Sequence, residues 1–551
     1  MPFSCLNFII LGLKDLCIIL INKKLKNNLM KKALIFIFLA LIVLKLILSI
    51  FIQVPLGYSD SLAYMQSAGD FFEDKSLLDQ AENKFPFLYP IIISPAYFFN
   101  DIHFGIILIN AILTSAILFP AYLFSREFLN KKKSLAIASI TALIPPIFIF
   151  TFIFMSESLF YTLFLFTIYF IYKAFKDNTL KWNILAGIGI ALCFQTKILA
   201  LFLFPTIIIL TILNREKIYN KVILLFTALI ATLPWIIARG TLYGYKISSV
   251  IGYPDSIEVS SGLHLTSKLT WFFLHIDYLI IATGIIFLIL TLQAVIQYKQ
   301  LTQNQKLLTQ VTLISTFFLF LITANHSGSY QHYYDYRIVG RYIACIFPLF
   351  ILLGATTLTK FKKISKTATL TTAGYIALTT PFLLYDTFFP INNSSWAHIG
   401  ILKYILPSTA LITILLVIAT LVFLKNIKIQ KLLTLAIIYF LLMSLLSTAI
   451  IIYDTEYRWK PTEPVQLGLF FEENKGTVLI DETLTEFEYN KTEDLTDPNE
   501  RQIEVMAYWL EEYTIGEIAS YQEYDYIVTK QSLSLPIVFV TEQATKVYYN
   551  P

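Results

Sequence analysis

The sequence predicts an α-helical polytopic membrane protein of about thirteen transmembrane helices, followed by a small external C-terminal α/β domain. Three observations carry that prediction. Of the 551 residues, 56% are hydrophobic and only 14% charged, a balance far more apolar than that of a soluble domain. Apolar runs long enough to cross a bilayer recur between residues 33 and 453, and the connections between them alternate between lysine-rich and acidic or aromatic. From Asp454 the chain turns polar and acid-rich, with short helical and strand-like periods.

The apolar runs fall near residues 33–52, 103–124, 134–153, 157–175, 182–194, 199–213, 222–238, 277–297, 307–324, 342–358, 368–385, 405–424 and 432–453. Lys31 and Lys32, Lys131 to Lys133, Lys176 with Lys181, Arg215 with Lys217 and Lys221, Lys299 with Lys306, the cluster from Lys360 to Lys366, and Lys425 with Lys428 and Lys431 all fall on one side. The positive-inside rule makes that side cytoplasmic. An odd number of spans then puts the N-terminus in the cytoplasm and everything after Asp454 outside the cell (plasma) membrane. The external face collects Asp60, Glu157, Lys197, Arg239, the loops 240–275, 325–341 and 386–404, and the six histidines on or near it. By this reading the ionisable groups gather at one membrane surface.

Residues 1–29 are apolar but interrupted by Lys14 and Asp15, and they precede Met30-Lys31-Lys32, itself a natural start for a membrane protein. They read as an over-long start or an interfacial segment. The domain scheme is therefore an ambiguous extension at 1–29, a transmembrane domain at 30–453 and an external domain at 454–551. In that last domain helices are expected at 465–475 and 500–513, and strands at 477–480, 524–529, 537–541 and 546–549.

Several classes drop out. The net charge of +5 reports membrane topology, and nothing separate points to nucleic acid. Cys5, Cys17, Cys193 and Cys345 form no CxxC or Cys/His spacing, so neither a disulfide framework nor a zinc site is implied. No glycine-rich nucleotide loop and no internal repeat are visible. Sequons at Asn325, Asn392 and Asn490 fall on the external side, but such short motifs arise often by chance.

Chemistry is sought first in the segment 55–90, where Asp60 follows Tyr58-Ser59 and Phe85-Pro86-Phe87-Leu88-Tyr89-Pro90 leads into the next apolar stretch. A carboxylate beside a bilayer is costly unless hydrated, paired or used. On position alone Asp60 reads as the N-cap of an amphipathic helix over 61–72. The acids Asp70, Glu73, Asp74, Asp79 and Glu82 read as a solvated helix face. Glu157 opens a span, where the helix dipole favours a negative charge and where it can orient a sugar hydroxyl or pair with Lys197. Lys197, Arg239, Arg337 and Arg341 sit at span ends, where long cations also snorkel to headgroups. The tyrosine-rich run Tyr330 to Tyr336, with Tyr333 and the histidines His326 and His332, could stack on a sugar or supply metal ligands, although interfacial tyrosines are expected anyway.

Taken in order, Ser59-Asp60 with Tyr64 and Ala68, Pro86 to Pro90, Met155-Ser156-Glu157, Gly187 through Thr196-Lys197, Pro234-Trp235-Ile236-Ile237-Ala238-Arg239 with Gly244, and Arg341-Tyr342 through Pro348 resemble the GT-C class of membrane glycosyltransferases. The likeness is to the protein mannosyltransferase-like and lipid-sugar-dependent families and covers about 30–358. It implies transfer of one hexose or pentose, with inversion, from a polyprenyl-phosphate donor to an acceptor that is a lipid, a glycan or a protein, as in cell-envelope or protein glycosylation. The resemblance makes Asp60 the base that takes the acceptor's proton. It makes Glu157, Lys197, Arg239, Tyr333, Arg337, Arg341 and Tyr342 substrate-binding residues, the cations meeting the donor phosphate. Many relatives carry a second carboxylate beside the first-loop acid, where this chain has Ser61-Leu62. No cofactor is expected, and a divalent metal is not favoured, because hard cations need several oxygen ligands. The partners implied are the lipid donor, an unknown acceptor and membrane lipids. Two rivals stand beside this reading: a lipid-linked-glycan transporter or flippase, for which paired half-repeats would be expected, and an oligosaccharyl transferase or ligase acting on whole glycans.

The lysine alternation yields a direct test. Asn393→Cys, or a cysteine placed after Asp454, is expected to react with a membrane-impermeant thiol reagent from outside intact cells, whereas Lys132→Cys and Lys363→Cys are not. Labelling of all sites from one side would overturn the face assignment.

Overall fold

The computed structural model describes residues 28–54, 59–73, 85–214, 218–245, 265–329, 338, 340–383, 406, 408–424, 427–481, 484, 512–516, 522–541 and 545–550. The extension up to residue 27, Asp74, Asp79, Glu82, Tyr333, Arg337 and the sequons at Asn392 and Asn490 lie outside these residues. The chain divides into two compact units, Met1–Leu48 with Tyr64–Thr448, and Ser49–Ala63 with Ala449–Pro551.

Among the described residues, seven helices are long and apolar enough to cross a membrane, or eight if one sharply bent pair counts as a single span. The chain is an integral membrane protein, and its helices follow the apolar runs closely. Helix α1 (Asn28–Ser49) answers the first run. It hides an ionisable group: Lys45 is fully buried, donates to Thr114 Oγ1 at 2.7 Å and Ser115 Oγ at 3.2 Å, and lies 5.0 Å from the centroid of the Phe148 ring. Helix α2 (Ser59–Phe72) begins two residues before its expected start, so Asp60 lies in its first turn and not at its N-cap. Helix α3 (Leu88–Ile93) passes into a 3-10 turn, Ser94–Phe98. The next span is α4 (Ile102–Ser115) and α5 (Leu118–Ser125), with the Asp101 side chain capping α4 by accepting from the Phe104 N–H.

The run at 134–153 is divided into α6 (Lys131–Ala142) and α7 (Pro145–Ile149). The cause is local: Ile144 precedes Pro145, whose ring disfavours helical geometry in the preceding residue, and Ile144 is extended. Helix α8 (Glu157–Lys176) is almost entirely enclosed by protein. Then come α9 (Leu180–Thr196), a 3-10 turn Ile198–Phe202, α10 (Leu203–Leu213) and α11 (Ile218–Tyr243). The expected external loop 240–275 is shorter than predicted. Arg239 and Gly240 still belong to α11, and α12 (Leu265–Ala282) takes the loop's last eleven positions.

The run at 277–297 is not one continuous span. Helix α12 and α13 (Ile286–Ile296) meet at 117°, across Gly284 and Ile285 with φ of +78° and +62°. Both residues occupy left-handed backbone that no α-helix continues through. His275 and Asp277 are buried on α12, with Thr380 donating to Asp277 Oδ1 at 3.3 Å. With Lys45, these two residues are ionisable groups enclosed by the protein. Helix α14 (Gln303–Ser329) absorbs the start of the expected loop 325–341, and Arg341 lies in α15 (Gly340–Ile343), which leads into α16 (Phe347–Phe361). Helices α17 (Lys366–Leu383), α18 (Thr409–Val422) and α19 (Ile429–Asp454) complete the unit's apolar series.

Helix α9 is clamped between α8 and α11 by two glycines. A β-carbon at Gly187 would lie 2.6 Å from the Leu224 carbonyl oxygen of α11, and one at Gly189 would lie 2.6 Å from Thr167 Oγ1 of α8. Small residues let helix backbones approach closely where lipid supplies no hydrophobic drive between helices. The close approach sets the height and rotation of α9, and so the position of Lys197 at its end.

The second unit carries a mixed sheet of β1 (Thr477–Asp481), β2 (Glu512–Gly516), β3 (Tyr526–Thr529), β4 (Ile537–Val540) and β5 (Lys546–Tyr549), in the order β2-β1-β3-β5-β4. The strands β2, β1 and β3 are parallel, while β5 is antiparallel to β3 and β4. Helix α20 (Glu463–Glu473) packs Leu467 and Phe471 on one face of the sheet, against Val478, Ile480, Val528 and Val547. Leu479, Ile527 and Tyr548 point to the other face, as strand alternation requires. The expected helix at 500–513 is corrected where it is described, since Glu512 and Tyr513 open β2. Lys460 donates to Gln53 Oε1 at 2.9 Å and so ties the segment after α1 into this unit. The exposed Asp525 accepts the Thr477 N–H and hydroxyl, which hold its carboxyl below the usual carboxylate value.

Gly187→Ala is expected to cost about 1–3 kcal/mol, because the added methyl meets the α11 backbone and a β-branched side chain and not a flexible tip. Thermal unfolding of the purified protein in detergent checks this. Gly374→Ala, at a position open to space, serves as the neutral control.

Candidate functional site

The break between α8 and the segment before it supplies the first component. Glu157 is the first residue of α8, where the helix dipole favours a carboxylate, and it is only 1% exposed. A charge so removed from water needs partners. Lys197 Nζ lies 2.5 Å from Glu157 Oε1, and Arg341 Nε lies 3.7 Å from the same oxygen. Lys197 reaches it because α9 stops at Thr196 and the next residue is extended, so that its side chain leaves the helix axis before the 3-10 turn begins.

Arg341 comes from a part of the chain far away in sequence. Its backbone carbonyl accepts from the Tyr161 hydroxyl at 2.8 Å, one helical turn beyond Glu157, and its Nη1 lies 2.9 Å from Met155 Sδ. The Tyr342 ring forms a shared platform: Lys197 Nζ is 4.5 Å and the Arg341 guanidinium 5.3 Å from its centroid, with the His326 ring 5.6 Å away. Cation–π contact and ion pairing together hold the two cations side by side. Two cations and one carboxylate leave a net charge of +1, and the cation side chains are 14% and 16% exposed while the carboxylate is closed off. Such an arrangement can receive an anion from the cation side.

The second carboxylate oxygen is held as well. Ser156 Oγ accepts from the Tyr64 hydroxyl at 3.0 Å and faces Glu157 Oε2 at 3.5 Å. Tyr64 packs against Phe85 at 4.8 Å and edge-on to Tyr89 at 5.2 Å, and Tyr89 donates to Asn110 Oδ1 at 3.1 Å.

Of the residues expected from sequence, the structure thus gathers Glu157, Lys197, Arg341 and Tyr342. Arg239, on α11, is buried and stacks over Tyr243 at 4.3 Å and Trp235 at 5.8 Å. Asp60 belongs to the second compact unit, half-buried in the first turn of α2. Tyr333 and Arg337 lie outside the described residues. Sequence reasoning missed Tyr161. The signal was present, since Tyr161 stands four positions after Glu157 and therefore on the same helix face. Among the described residues no three His, Cys, Asp or Glu side chains are grouped as a metal ion would need.

Comparison with known proteins agrees with this architecture. The family model for dolichyl-phosphate-mannose-protein mannosyltransferase matches residues 85–237, a stretch that includes Glu157 and Lys197. The crystal structure of ArnT from Cupriavidus metallidurans in the apo state superposes with a TM-score of 0.53 at 12% identity, covering 95% of this chain and 98% of that one. The structure of the same protein bound to undecaprenyl phosphate gives a TM-score of 0.51 at 12% identity, over 94% and 98% of the two chains. At that identity the likeness is one of fold. No curated protein sequence matches the chain. The resemblance to GT-C class membrane glycosyltransferases is borne out.

Removing one partner of the buried cluster should cost more than removing two. Lys197→Gln is expected to destabilise the purified protein by about 3 kcal/mol, because the longer Arg341 contact is then the only ion pair left to Glu157 among the described residues. Adding Glu157→Gln should recover part of that loss, with a coupling of about 1–3 kcal/mol in a double-mutant cycle read by thermal unfolding. Additive losses would show that the pair is not coupled.

Proposed function

We propose that the chain is a glycosyltransferase that moves one sugar from a polyprenyl-phosphate donor to an acceptor at the external face of the membrane. The observation that carries the reading is the Lys197–Arg341 pair, set on Tyr342 and anchored by the buried Glu157. A lipid tail reaches such a site through the bilayer between helices, while its phosphate meets the two cations.

In this reading the acceptor hydroxyl oxygen attacks the anomeric carbon as the bond from that carbon to the phosphate oxygen breaks. The electron pair of the breaking bond stays on the phosphate, where Lys197 and Arg341 offset the growing charge. The acceptor's proton passes to the Asp60 carboxylate, and attack from the face opposite the phosphate inverts the anomeric centre. Arg239, Arg337, Tyr333 and Tyr342 are assigned to holding the sugar and phosphate. The shorter apolar helices are read as further spans, for about thirteen in all, and the sheet-bearing unit is read as an external domain that shapes acceptor access. Lipids, glycans and proteins are all admitted as acceptors.

The test is transfer of labelled sugar from a synthetic polyprenyl-phosphate sugar by the purified chain in nanodiscs. Asp60→Asn, which keeps the shape but removes the base, is expected to lower turnover by about a hundredfold or more while leaving expression intact. Near-normal transfer would reduce Asp60 to a residue of the α2 first turn. Movement of the lipid across the bilayer without sugar release would replace the enzyme reading with a transport one.

A further inference from the structure

We propose that Glu157 is a fixed internal counter-anion that sets how tightly the Lys197–Arg341 pair holds a phosphate, and so lets the spent lipid phosphate leave. The inference rests on the reading above, in which those two cations meet the donor. Both cations share the single oxygen Oε1 of Glu157, at 2.5 and 3.7 Å. The Tyr342 ring lies within cation–π reach of both, so an incoming phosphate meets a pair that is already assembled.

The carboxylate does not step aside when an anion arrives. It is 1% exposed, and the Ser156 hydroxyl faces its other oxygen at 3.5 Å, itself receiving the Tyr64 hydroxyl at 3.0 Å. A phosphate on the cations therefore always sits near a like charge. That repulsion acts unequally on the two ends of the reaction. A polyprenyl-phosphate sugar is a phosphodiester with one negative charge, whereas the polyprenyl phosphate left after transfer is a monoester that approaches two near neutral pH. A fixed negative charge a few ångströms away penalises the second more than the first, which tilts binding toward donor and away from product. Two cations without the carboxylate would hold the product most tightly of all, and release would limit the rate.

The experiment measures binding of farnesyl monophosphate to the full chain in nanodiscs, with inorganic phosphate as a headgroup-only probe. Glu157→Gln is expected to bind farnesyl monophosphate at least about tenfold more tightly than the unaltered chain. Its steady-state transfer should fall behind an initial burst. Glu157→Asp, which keeps the charge, should stay within about threefold of the unaltered affinity. Inorganic phosphate should rank the variants in the same order, because the effect acts on charge and not on the tail; a different order overturns the proposal. If Lys197→Gln leaves farnesyl monophosphate binding unchanged, the assignment of the cations to phosphate fails. If Lys197→Gln weakens binding but Glu157→Gln does not tighten it, the assignment of the cations stands and the counter-anion role is overturned. Should Glu157→Gln yield too little folded protein, Tyr64→Phe replaces it. Loosening the carboxylate's hold should tighten binding by a smaller factor, and unchanged affinity in Tyr64→Phe overturns the proposal.

Discussion

A carboxylate buried at the start of a helix stays charged only with positive charge beside it, and the polar cluster of the first unit follows from that demand at Glu157. Lys197 and Arg341 answer it from chain positions 40 and 184 residues later, and each is delivered by an interruption in helical structure. The cluster is therefore a product of breaks. An unbroken α9 would carry Lys197 round the helix axis, and an unbroken descent from α14 into α16 would leave no short α15 to present Arg341 and Tyr342.

The packing around α8 serves the same end. Gly187 and Gly189 draw α11 and α8 against opposite sides of α9, leaving the Lys197 backbone little freedom to shift. Tyr161, one turn into α8, fixes the Arg341 carbonyl, so the helix that bears the anion also holds the backbone of one of its cations. Ion pairs with long side chains ordinarily lose much of their value to rotamer entropy. Here burial and the aromatic platform remove most alternative rotamers, and what remains is a rigid, singly positive surface.

Deeper in the first unit, Lys45 directs its amino group to two hydroxyls and an aromatic face, and Asp277 takes a threonine hydroxyl at one of its oxygens. The second unit is organised by strand alternation. Its parallel strands β2, β1 and β3 present one apolar face to α20, and the residues between them turn to the opposite face. Gln53, bonded to Lys460, shows that the short stretch after α1 folds with the C-terminal residues.

The positions of nearly all apolar helices were legible in the sequence, because crossing a bilayer requires a long run without charge and because lysines mark the connections. That Glu157, Lys197, Arg341 and Tyr342 belong together was legible too, through their order along the chain. What the sequence could not express was geometry that depends on several segments at once. The 117° turn at Gly284 and Ile285 lies inside an apolar run that hydropathy reads as continuous. Lys45 sits in such a run because its hydroxyl partners, Thr114 and Ser115, come from another helix. That one oxygen of Glu157 serves two cations, and that its neighbour meets Ser156 and Tyr64, was decided only by tertiary packing. Composition and periodicity report the burial demand of each segment separately, whereas an ion cluster exists only where separate segments meet.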